Sequence, residues 1–81
     1  MLREALLEVE SGRIKQLQLE GDFFMYPEGK LREFESSLAG TIVNRDNSFS
    51  KIKAIYEQTG LLSPGVVLED FTEAIVRAFS L

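Results

Sequence analysis

The run Ala5-Leu6-Leu7-Glu8-Val9-Glu10-Ser11-Gly12-Arg13-Ile14-Lys15-Gln16-Leu17-Gln18-Leu19-Glu20 decides the fold of this chain. Ala5, Leu7 and Val9 alternate with Leu6 and Glu8, the period-2 pattern of a half-buried strand, and Ser11-Gly12 supplies a turn. The return run, Arg13 to Glu20, carries Ile14, Leu17 and Leu19, with Ile14 out of phase with the other two. A strict two-residue loop would set Val9 opposite Ile14 and Leu6 opposite Leu17, splitting the apolar side chains over both faces. One extra residue bulged between Ile14 and Gln16 instead pairs Leu7 with Leu17 and Ala5 with Leu19, beside Val9 on one face. The pattern therefore predicts a bulged hairpin whose far face, carrying Leu6 and Ile14, needs cover or a partner. A two-stranded ribbon is marginal alone, so a third strand is expected from Phe23-Phe24, from Ile42-Val43 or from another chain.

Downstream, Pro27 has the fixed φ and missing N–H that suit a first helical turn, and a helix is expected from about Pro27 to Ala39. Leu31, Phe34 and Leu38 recur at helical spacing, and Gly40 ends the run. Thr41-Ile42-Val43 is β-branched and reads as a brief strand or a buried connector. The polar stretch Asn44 to Ser48 offers N-caps for a second helix through Phe49, Ile52, Ile55 and Tyr56 to Gly60. After a loop over Leu61-Leu62-Ser63-Pro64-Gly65, positions Phe71, Ala74, Ile75, Ala78 and Phe79 predict a third helix from about Leu68, with Phe71, Ile75 and Phe79 in the core. A hairpin followed by three helices buries its apolar face only if the helices pack on one side, which is an α+β architecture. One domain over residues 1–81 is expected.

Composition narrows the chemistry. An 81-residue chain with 44% hydrophobic and 27% charged residues can form a small core, burying about 60–65% of its unfolded surface. Nine basic against thirteen acidic residues give a net charge of −4, the wrong sign for holding nucleic acid through its phosphates. No apolar run approaches the ~20 residues of a membrane span, and Met1-Leu2-Arg3 leads into Glu4 rather than an export signal's apolar stretch. Zero cysteines and zero histidines exclude disulfides and remove the commonest transition-metal ligands. The cytoplasm is the default compartment, and a partner-dependent module without catalytic residues of its own is expected. Glu33 and Glu35 lie ~200° apart on a helix and cannot converge as an acid–base pair; both read as solvated. Arg45, Lys51 and Lys53 near a helix start also read as solvated charges.

The candidate interface is Gly21-Asp22-Phe23-Phe24-Met25-Tyr26-Pro27. Adjacent residues of an extended segment face opposite sides, so one of Phe23 and Phe24 enters the core and the other becomes an anchor for a partner. Gly21 suits an unusual φ, and Asp22 suits a turn or helix cap. Met25 and Tyr26 either cover the hairpin or form an exposed site, since the residue before a proline is held extended, which would splay Tyr26 from the chain.

Gly12-Arg13-Ile14, Gly21-Asp22-Phe23-Phe24, and Leu31, Glu35, Leu38 and Gly40 together resemble the C-terminal accessory domain of lipoate–protein ligase. Met25-Tyr26-Pro27-Glu28 looks like the archaeal form, and Gly65, Glu69-Asp70-Phe71 and Ala74-Ile75 look like the family's last helix. The resemblance runs from about Ala5 to Leu81. Two departures are a short strand entry, Met1-Leu2, and Val67-Leu68 where the family has Thr-Pro. The resemblance implies a fold similar to that of SufE- and NifU-like cluster-assembly scaffolds, although a chain without cysteine is ill suited to cluster transfer. It further implies an accessory subunit of a two-component, archaeal-type ligase, in a heterodimer with the catalytic subunit. That subunit would bind ATP, Mg²⁺ and lipoate and make lipoyl-AMP, before transfer to lipoyl-acceptor domains of 2-oxoacid dehydrogenase complexes or to glycine cleavage H protein. The small chain has no Gly-rich phosphate loop with its Lys, so its expected contribution is to hold the partner's active-site loops closed against water. The competing expectation is a homodimeric scaffold or regulator of the same fold, joined at the sheet edge.

Overall fold

The computed structural model describes residues 2–27 and 29–80. Strand β1 spans Leu2–Glu10 and β2 Arg13–Gly21; helices α1, α2 and α3 span Leu31–Ser37, Arg45–Thr59 and Leu68–Ser80. The strands form a two-stranded antiparallel sheet with α3 packed on β1, α1 on β2 and α2 against α3, all on the side of its apolar face, as the α+β pattern predicts.

The expected bulge is present. Leu7 faces Leu17, Ala5 faces Leu19, and the register jumps from Glu8↔Gln16 to Val9↔Ile14, which leaves Lys15 as the extra residue. The consequence for Ile14 reverses the sequence expectation. Side chains alternate faces along a strand, and one bulged residue resets that alternation, so Ile14 and Leu17, three residues apart, share a face. Ile14 is buried with Leu17 and Leu19, and only Leu6 is left exposed on the far face. A second register shift between Leu2 and Glu4 has no counterpart in the hydrophobic pattern.

The outer edge of β2 is covered by the chain itself. Ile14 N–H donates to Thr41 O at 2.8 Å, Gly40 N–H to Ile14 O at 2.7 Å, and Val43 N–H to Gly12 O at 2.9 Å, with Ile42 bridged to Arg13. The Thr41-Ile42-Val43 segment thus acts as a single-bridge third strand. Further along the same edge, Leu19 N–H donates to Glu35 Oε2 at 2.6 Å. This corrects the solvated reading of Glu35: its carboxylate closes a strand edge and ties α1 to β2. Glu33 remains a surface charge, paired with Lys30 at 3.1 Å. A hydrogen bond to an ionised acceptor contributes more than a neutral one. Glu35→Ala is expected to cost about 1–2 kcal/mol, read as a melting temperature about 4–16 °C lower, with partial recovery in Glu35→Gln. A melting temperature within about 2 °C of the parent would show that water replaces the carboxylate without loss.

Helix α1 is shorter than the apolar spacing suggests. It begins at Leu31 rather than Pro27 and ends at Ser37 rather than Ala39. Gly29 takes φ +83°, a left-handed conformation that cannot continue a right-handed helix. Lys30 serves as N-cap without a side-chain hydrogen bond. Helix α2 matches expectation more closely: Asn44 is its N-cap, with Oδ1 accepting from Asn47 N–H at 2.8 Å, and Gly60 ends it. In α3 the predicted stripe holds at Phe71 and Ile75 and fails at Phe79, which is 50% exposed. The apolar period continues into the helix's last turn, beyond the surface it packs against.

Phe71 is the centre of the core. Its ring lies 5.9 Å from Phe23, 5.2 Å from Phe34 and 6.3 Å from Tyr56, centroid to centroid, in tilted or edge-on arrangements. Four rings contributed by the β2–α1 segment and all three helices therefore meet at one point.

Candidate partner interface

Strand β2 ends at Gly21, whose φ of +152° redirects the chain as expected for a glycine at this bend. The next residues alternate as an extended segment must. Phe23 turns inward, edge-on to Phe71, while Phe24 turns outward and is 72% exposed. Met25 turns inward and is 7% exposed, so it belongs to the core and not to the surface where its neighbours lie. Tyr26 turns outward at 46%. Asp22 and Pro27 are exposed. The expected cap from Asp22 does not form: its carboxylate accepts no hydrogen bond among the described residues.

Tyr26 is fixed by backbone pairing to a segment the sequence reading treated as plain loop. Tyr26 N–H donates to Leu62 O at 2.7 Å and Leu62 N–H to Tyr26 O at 2.9 Å. In such an antiparallel bridge the two side chains project to the same side, which brings Leu62, 64% exposed, beside Tyr26. Leu61, its neighbour, is buried. The sequence did hold a signal for this. Adjacent leucines in an extended connector cannot both enter a core, just as adjacent phenylalanines cannot. The loop under Leu62 is held by Tyr56, whose hydroxyl donates to Ser63 Oγ at 2.6 Å, with Ser63 Oγ donating in turn to Val66 O at 2.7 Å. Burial pushes the Tyr56 phenol above its ordinary value, partly offset by the Ser63 hydrogen bond, so it stays a donor at neutral pH.

Phe24, Tyr26 and Leu62 thus form an outward apolar face on a rigid base. Aromatic side chains on a well-packed support suit protein recognition, because little conformational freedom is lost on docking. Arg45 is engaged by Glu73 at 2.7 Å, a contact that holds the Glu73 carboxyl below its usual range, and Lys51 and Lys53 are exposed on α2. Among the described residues no group of three His, Cys, Asp or Glu side chains is placed to hold a metal ion, and no helix is long and apolar enough to cross a membrane.

The family model for the bacterial lipoate protein ligase C-terminus matches residues 3–75. The chain belongs to the lipoate–protein ligase C-terminal family. Within that family it is similar to lipoate-protein ligase A subunit 2 of Thermoplasma acidophilum, 38% identical over 69 residues that cover 85% of this chain and 70% of the relative. It is also similar to a chain in the solved structure of an archaeal lipoylation system, a bi-partite lipoate protein ligase and its E2 lipoyl domain from the same organism. There the TM-score is 0.76 at 35% identity, over 88% of this chain and 77% of that one. The expectation of an accessory ligase subunit of the archaeal two-subunit kind is borne out by these relatives, as is the hairpin-plus-three-helix fold of the lipoate ligase C-terminal family.

Proposed function

We propose that this accessory subunit docks on the catalytic subunit of a lipoate–protein ligase through Phe24, Tyr26 and Leu62, and that docking enables ATP-dependent conversion of lipoate to lipoyl-AMP. The carrying observation is the divergence of two adjacent rings: Phe23 is locked onto Phe71 while Phe24 stands 72% exposed. A large exposed ring held by a buried neighbour has the form of a binding anchor. Gly21 and Asp22 lead into that anchor and Pro27 leaves it, so they frame the contact, and Met25 supports it from within. ATP, Mg²⁺ and lipoate are held by the catalytic subunit in the cytoplasm, and the lipoyl group then passes to acceptor domains such as the E2 lipoyl domain or glycine cleavage H protein. The small chain acts by stabilising the partner's closed, water-excluding arrangement, so that adenylate forms faster than it is lost.

The test is lipoate-dependent pyrophosphate release from Mg²⁺-ATP by the catalytic subunit, with and without one equivalent of this chain. The rate is expected to rise at least about tenfold, about 1.4 kcal/mol of barrier, with none from the small chain alone. A rate indifferent to the small chain would remove the proposal. So would a stable homodimer that ignores the catalytic subunit in light scattering.

A further inference from the structure

The backbone of residues 22–25 makes no hydrogen bond among the described residues, although the chain on either side is paired: Gly21 with Leu2, and Tyr26 with Leu62. Backbone N–H and C=O groups in folded proteins are paired almost without exception, with protein or with water. Four consecutive residues without a backbone partner among the described residues, in an extended segment bounded by paired ones, form a ladder lacking one strand.

The geometry sets which edge is open. In extended chain the N–H and C=O of alternate residues point to the same edge. Tyr26 turns both groups toward Leu62, so Phe24 turns toward the same edge. Its ladder position there falls opposite Pro64, which has no N–H to donate. Phe23 and Met25 turn theirs to the opposite edge.

We propose that the catalytic subunit adds an extended segment of its own to this open edge, taking its hydrogen bonds from the backbone of Phe23 and Met25 while Phe24 packs against it. This rests on the docking proposed above and specifies its form: strand addition, in which main-chain bonds contribute affinity and side-chain contacts contribute choice of partner. The incoming segment has no proline at its pairing positions and carries an apolar side chain against Phe24. At the Asp22 end it carries a lysine or arginine, because that carboxylate is exposed and accepts no hydrogen bond among the described residues.

Two measurements on the complex test this. Amide exchange at Phe23 and Met25 is expected to be fast in the free subunit and at least about tenfold slower with the catalytic subunit bound. Chemical synthesis of the 81-residue chain allows the Phe24–Met25 amide to be replaced by an ester, which deletes the Met25 N–H and keeps every side chain. That N–H has no partner among the described residues, so melting should be unchanged while affinity for the catalytic subunit falls about three- to tenfold. An ester at Tyr26, by contrast, removes a bond to Leu62 and should lower the melting temperature. If Phe24→Ala weakens the complex but the Met25 ester binds like the parent and both amides stay unprotected, strand addition is overturned and side-chain docking survives. If no complex forms, both fall. Protection of the same amides in concentrated free chain, together with a dimer mass, would overturn the assignment of the edge to the catalytic subunit.

Discussion

Phe71→Ala is expected to cost about 3–5 kcal/mol, the range for truncating a fully buried phenylalanine. Phe71 is wholly buried and in ring contact with Phe23, Phe34 and Tyr56, so its removal leaves a cavity bordered by three elements that cannot all collapse into it. Total stability for a chain of this length is about 4–12 kcal/mol, and at the lower end the variant does not fold. Thermal unfolding followed by circular dichroism should show a melting temperature at least about 15 °C lower. Phe71→Leu, which keeps most of the volume, should lose less than half as much. A shift of under about 5 °C for Phe71→Ala would mean that the four-ring cluster does not hold the domain together. There is a functional corollary. Phe71 holds Phe23, and Phe23 fixes the phase of the extended segment, so Phe71→Ala should also weaken docking at temperatures where the variant remains folded.

Phe24→Ala should do the reverse. Its ring is exposed and in contact with none of the core rings, so the melting temperature should stay within about 2 °C of the parent, as for ordinary surface substitutions. Affinity for the catalytic subunit, measured calorimetrically, should fall by at least about 2 kcal/mol, or roughly thirtyfold in Kd. Phe23→Ala, its immediate neighbour, should lower stability because it removes one partner of Phe71. The pair therefore separates binding from folding across a single peptide bond. Equal affinities for parent and Phe24→Ala, or a loss of stability in place of affinity, would move the interface elsewhere.

The phase of Phe23 and Phe24 could be posed from sequence but not solved. Alternation requires that one ring enter the core, yet nothing local says which. The answer came from Phe71, 48 residues away by subtraction of their numbers, whose ring receives Phe23. Leu62 lay outside the expected interface for a similar reason: it reaches Tyr26 by a backbone bridge between distant segments, and side-chain pattern carries no record of such a bridge. Glu35 looked like a solvated charge because helical spacing alone cannot show that a strand edge passes beside it.

Local chemistry by itself determined the hairpin, its bulge and the caps of α2, because each depends on neighbouring residues: an apolar phase break at Ile14, a turn at Ser11-Gly12, an asparagine before a helical run. It also set what the chain lacks, namely the thiols and imidazoles of common metal and nucleophile sites. Tertiary structure alone decided that Ile14 is core, that α1 waits until Leu31, that Phe79 lies beyond its packing surface, and that the backbone of 22–25 finds no partner among the described residues. These depend on which surfaces meet across long sequence separations. Periodicity records how a residue faces its own element, whereas burial and pairing depend on what the rest of the molecule places opposite it.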